Sequence, residues 1–118
     1  FIITDLLYPV PPQEILGHVL HSTIRAIIFC PWSAAEAEPD WDGQVELRDC
    51  ESNEKRLYQF TQARRDRFRA SYRRHFNLWD EACAGRGVAL TRLGEDGSLL
   101  DCLMKSALPI GAVEMAQG

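Results

Sequence analysis

Ile24-Arg25-Ala26-Ile27-Ile28-Phe29-Cys30-Pro31, running on into Trp32-Ser33-Ala34-Ala35-Glu36, is the stretch that decides the fold. An apolar run of this length, rich in β-branched residues and ended by Pro31, predicts a strand of a parallel sheet covered on both faces. On its N-terminal side, Pro12 suits the first turn of a helix reaching about His21, with Ile15, Leu16, Val19 and Leu20 on one side. Phe1-Ile2-Ile3-Thr4-Asp5 reads as a short strand, joined to that helix by the proline-rich loop Leu6-Leu7-Tyr8-Pro9-Val10-Pro11. These segments make one βαβ unit.

On the C-terminal side, Ser33-Ala34-Ala35-Glu36 fits one helical turn, and Pro39-Asp40-Trp41-Asp42-Gly43 is a loop by its turn residues. Residues 44–49 and 55–60 alternate polar and apolar, which predicts a β-hairpin with one solvated face. Thr61 is a good N-cap, and Phe68, Tyr72, Phe76, Trp79 and Cys83 follow at the spacing of an amphipathic helix over residues 62–84, stopped by Gly85 or Gly87. A third parallel strand is expected over residues 88–93. Asp96-Gly97-Ser98 would cap a last helix over residues 99–108, ended by Pro109. The fold class expected is therefore α/β: a three-layer sandwich around a mostly parallel sheet with an inserted hairpin, residues 1–108 forming one domain and 109–118 a tail. Three core strands are a thin sheet, and an exposed edge predicts pairing with another copy.

Composition narrows the function classes. An apolar fraction of 46% in 118 residues is that of a globular chain, and no window is apolar enough to span a membrane. The start lacks a basic secretory segment and reads as a piece of something longer, in which a missing N-terminal part could carry a tether. Cys30, Cys50, Cys83 and Cys102 form no CxxC pair, so reduced thiols in a cytoplasmic setting are expected. Net charge is −4, yet eight of seventeen acidic residues lie between positions 36 and 54, and six of thirteen basic ones between 64 and 74. That polarity disfavours general nucleic-acid binding while leaving a local arginine cluster to be explained.

A strand ending in Thr4-Asp5, a helix, a second strand, then Pro31-Trp32-Ser33-Ala34-Ala35-Glu36, Pro39, Gly43 and Val45-Glu46-Leu47-Arg48-Asp49-Cys50-Glu51-Ser52 form a recognisable succession. It resembles the C-terminal half of the bacterial von Willebrand factor A-like proteins grouped as domain of unknown function fifty-eight. There a hairpin reading roughly Leu-x-Asp-x-Glu-x-Gly precedes a long helix, a strand and a short helix, so the likeness covers nearly all of residues 1–108. One departure is Asn53-Glu54 in place of a glycine turn, although Asn tolerates the left-handed conformation. The resemblance implies a non-enzymatic interaction or adaptor module, with a MoxR-type AAA ATPase as partner. It also implies a magnesium or manganese site in a full-length protein, to which this fragment would bring only Asp5, so no cofactor is expected here.

Other residues offer weaker chemistry. Asp5 ends a strand, where open α/β sheets place ligands, but an Asx turn explains it equally well. His18 and His21 could lie side by side on a helix, yet no HExxH frame exists and His75 stands on another helix among arginines. Ser22, Ser33, Ser71 and Ser98 lie in no nucleophile elbow, and Gly85-Arg86-Gly87 follows a helix, so no catalytic residue is assigned. Arg64, Arg65, Arg69 and Arg73 are the expected partner-binding residues. They would suit an acidic partner or the chain's own acidic hairpin. The alternative reading is a nucleic-acid-binding domain using the helix that carries residues 64–74, and a third is a hydrolase fragment whose catalytic residues lie elsewhere.

Overall fold

In a computed structural model the chain is a mixed α/β protein; residues 1–22, 25–95 and 97–116 are described. The elements run β1 (Ile2–Ile3), α1 (Pro12–His21), β2 (Ile27–Trp32), α2 (Ala34–Ala37), β3 (Gly43–Arg48), β4 (Lys55–Phe60), α3 (Gln62–Ala84), β5 (Ala89–Gly94) and α4 (Leu99–Cys102), the last continued by a π-helical stretch, Leu103–Ala107. β1, β2 and β5 form a parallel sheet in that order, with Ile2 opposite Ile28 and Cys30 opposite Arg92. β3 and β4 form a separate antiparallel hairpin, Val45 facing Tyr58.

Strand periodicity explains which side of the sheet carries the core. Ile28, Cys30 and Leu90 project to one face, where Leu16 of α1 and Phe76, Trp79 and Cys83 of α3 close over them. Trp79 and Leu16 have no exposed surface, and removing a buried side chain of that size costs about 3–5 kcal/mol for an aromatic. On β5 the intervening residue, Thr91, faces the opposite way and is only 1% exposed; the π-helical stretch packs against this strand, with Ala107 fully buried. Over β1 that second face is open: Phe1 stacks on Phe29 at 6.2 Å between centroids but is itself 91% exposed, and Ile3 is 75% exposed.

Proline does not end β2, contrary to the sequence expectation. The strand passes through Pro31 to Trp32, and the hydrogen-bond pattern shows why this is tolerated. The Phe29 carbonyl accepts from Thr4 N–H, so Phe29 and Pro31 both direct their backbone polar groups towards β1. β1 has already ended at Ile3, and the missing N–H of Pro31 removes no ladder bond. The start of this strand expected at Ile24 lies outside the described residues, as does the Asp96 part of the expected cap. Ser98 does cap α4, accepting from Asp101 N–H at 3.1 Å.

α1, β4 and α3 keep their expected spans, and the other boundaries that move do so by one or two residues. β1 is shorter than residues 1–5 because Thr4 and Asp5 turn their side chains to the loop backbone. Both β3 and β5 sit one residue away from the expected spans. α3 stops as its glycines suggested. Gly87 takes φ +67°, its N–H reaches Ala84 O at 3.4 Å, and Val88 N–H reaches Cys83 O at 3.0 Å, a Schellman pattern. The same pattern recurs past Pro109: Gly111 has φ +69°, its N–H bonds to Leu108 O, and Ala112 N–H bonds to Ala107 O. Pro109 therefore lies within the closing turn rather than terminating the ordered chain, and Ala112 is buried. No helix among the described residues is long and apolar enough to cross a membrane.

Candidate partner-binding site at the carboxyl edge of the sheet

The three parallel strands end at one edge, and the loops leaving them meet α3 there. Ser33 caps α2 through a capping box, its hydroxyl accepting from Glu36 N–H while Glu36 accepts from Ser33 N–H. Glu95, just after β5, accepts from Ala34 N–H at 3.2 Å and ties the ends of β2 and β5 together. The loop after β1 is held more tightly still. Thr4 Oγ1 accepts from Leu6 N–H and Asp5 Oδ1 from Leu7 N–H, both at 3.1 Å, forcing a turn in which Leu6 adopts φ +59°. A leucine in the left-handed region is strained by about 1–2 kcal/mol. Burial of its side chain to 1% exposure and a 2.7 Å hydrogen bond from His75 Nε2 to its carbonyl hold it in place.

Asp5 is accordingly a turn residue. Its carboxylate is exposed and accepts from Leu7, and among the described residues no cluster of three or more His, Cys, Asp or Glu side chains could hold a metal ion.

Two of the four arginines expected to bind a partner are drawn into the fold. Arg65 Nη1 lies 2.6 Å from Trp41 O and 2.7 Å from Asp42 Oδ1, with a side chain only 17% exposed. It fastens the acidic loop before β3 to α3, and Arg65 accordingly holds the Asp42 carboxyl below its usual range. Arg69 pairs with Asp66 at 3.6 Å. Arg64 donates to Gln59 O at 2.9 Å, close to the start of the helix, and Arg73 is exposed. Arg65, Arg69 and Arg73 follow one another at intervals of four along α3 and so share one stripe of the helix.

What converges at this edge of the sheet is aromatic. α3's stripe has two zones: Phe76 and Trp79 are buried under the sheet, whereas Phe68 and Tyr72, two turns and one turn earlier, are half-buried. These outer rings meet Trp41, which Arg65 holds in place. Trp41 and Phe68 lie 6.1 Å apart, and Phe68 and Tyr72 lie 6.2 Å apart. With Leu7, Pro39 and Ala35 they wall a cleft of about 660 Å³. Glu36, Asp40, Ser71 and His75 supply its polar groups. Its volume is that of an ordinary ligand pocket, and its place at the carboxyl edge of a parallel sheet is where open α/β folds bind ligands. A smaller cavity of about 370 Å³ lies at the opposite edge, around Cys83, Val88 and Asp80.

Behind the cleft sits Arg92, reaching from β5 towards α3. Its guanidinium carbon lies 3.7 Å from the centroid of Phe76 and 4.8 Å from that of Trp32, and Nη2 donates to Tyr72 Oη at 2.8 Å. Burial raises the Tyr72 phenol above its ordinary range, and Arg92 pulls the other way. Cys30 behaves alike: burial raises its thiol and Arg92 partly offsets this.

The cleft was not assigned from sequence because the spacing of Phe68 and Tyr72 is identical to that of the core positions after them. The one available signal was Trp41, an aromatic placed in an acidic turn with no strand or helix pattern around it. Comparison of the chain with protein-family models, with curated proteins and with solved structures finds no match.

Proposed function

We propose that this chain is a non-enzymatic protein-interaction module of the von Willebrand A type, and that it engages its partner through the cleft formed by Trp41, Phe68 and Tyr72. The observation that carries this reading is the cleft itself, apolar-walled and joined to the loops that leave the carboxyl ends of β1 and β2. The order β1-β2-β5, each strand added outward of the last, suits one half of a doubly wound sheet, and the open edge and face at Phe1 and Ile3 suit a sheet that continues. The von Willebrand A assignment and the choice of a MoxR-type AAA ATPase as partner come from the sequence resemblance.

The test is retention of such an ATPase on the immobilised chain. Ser71 is exposed on α3 at the cleft wall, so Ser71→Trp fills the cleft without removing a core contact. Wild-type chain should retain the ATPase and Ser71→Trp should lose at least about 1.4 kcal/mol, tenfold, of that affinity. Equal retention by both, or none by either, overturns the reading.

A further inference from the structure

The cleft combines two features that need not occur together. Its walls carry three aromatic rings, and its charged side chains are carboxylates: among the described residues Glu36 and Asp40 line it beside His75, whereas no Lys or Arg does. Two arginines that flank this part of α3 are committed elsewhere, Arg65 to Asp42 at 2.7 Å and Arg69 to Asp66 at 3.6 Å. An anionic ligand would meet two carboxylates, whereas a cation could pair with them and stack on a ring face.

We infer that the cleft takes an arginine side chain presented by an extended basic segment of a partner protein, an inference that rests on the interaction reading above. The molecule already uses this chemistry one turn further along α3. There Arg92 stacks 3.7 Å from the Phe76 centroid and shares a hydrogen bond with Tyr72, and the ring series continues outward from Tyr72 through Phe68 to Trp41. Arginine suits the outer rings better than lysine because a planar guanidinium stacks on an aromatic face while its edge donates to a carboxylate. At about 660 Å³ the cleft has room for neighbouring apolar residues of the same segment against Leu7 and Pro39.

The probes are two capped tetrapeptides, acetyl-Leu-Arg-Leu-Ala-amide and the same peptide with citrulline for arginine, which keeps the shape and removes the charge. Binding to the full chain is read by calorimetry, for wild type and for the double variant Glu36→Gln, Asp40→Asn. Both positions are exposed, and the amide that replaces the Glu36 carboxylate keeps an oxygen for the α2 capping box. The wild type should prefer the arginine peptide by about tenfold, and the double variant should bring the two peptides within about twofold of each other. Equal binding of both peptides to wild type, a preference that survives in the double variant, or no binding of the arginine peptide overturns the inference. These failures are separable from failure of the interaction reading. If Ser71→Trp still releases the ATPase while the arginine preference is absent, the cleft is the partner site and the arginine is wrong. Loss of the ATPase result removes both.

Discussion

At the scale of single residues, several side chains carry costs that variants can expose. Thr91 is 1% exposed and its hydroxyl has no hydrogen-bond partner among the described residues. Thr91→Val exchanges that hydroxyl for a methyl of the same size, so it should stabilise the chain by about 1 kcal/mol, seen as a higher denaturant midpoint with an unchanged slope. Asp80 is raised above the usual carboxylate range by desolvation, with Arg92 partly opposing. A raised carboxyl favours the folded state in its protonated form, and that contribution is lost as pH rises through its folded-state pKa. Asp80→Asn should therefore raise the midpoint at pH 7, and the difference should shrink as pH falls below about 4. Cys83 lies 2% exposed with its thiol pushed up to about 11 by burial, whereas Cys50 is exposed in the hairpin turn. Iodoacetamide at pH 8 should label Cys50 and leave Cys83 unmodified until the chain unfolds; equal labelling rates in the folded chain would contradict the packing.

At the scale of elements, the sequence was most legible where a local pattern and a local cap agree. α3 runs over the expected residues because Thr61 opens it, accepting from Arg64 N–H, and Gly87 supplies the left-handed turn that closes it. The hairpin turn is another such case. Asn53 does adopt φ +59°, and its Oδ1 accepts from Arg48 Nη2 at 2.6 Å, while Asp49 accepts from Ser52 and Glu51 N–H groups, which lower its pKa. Asn53→Ala should destabilise the hairpin by about 1–2 kcal/mol, the usual cost of a left-handed non-glycine residue, and speed proteolysis at residues 49–54. Legibility failed where the deciding partner was distant in sequence. Pro31 is compatible with a strand only because β1 stops opposite it, and no local rule shows that. Leu57 reads as part of an alternating strand, yet it pairs with Glu46 on the solvent side and is 65% exposed. The arginines of α3 were legible as a cluster, but their fates diverged because Trp41 and Asp42 return to Arg65 across more than twenty residues.

For the whole molecule, the mixed α/β class and the parallel pairing could be read from the order of apolar runs, since β2 and β5 are separated by a helix and need a crossover. The cleft could not, because it requires the acidic loop to fold back on α3 and leave Phe68 and Tyr72 uncovered while the next turn is sealed. An open edge at β1 and a cleft at the carboxyl ends of the strands are distinct surfaces, so a partner at one should leave the other unchanged. Hydrogen–deuterium exchange of the chain with and without the ATPase measures this directly. Protection is expected only in the loop after β1, in residues 35–42 and in the part of α3 that bears Phe68 and Tyr72. Protection confined to the β3–β4 hairpin or to α1, with the cleft exchanging as in the free chain, would contradict it.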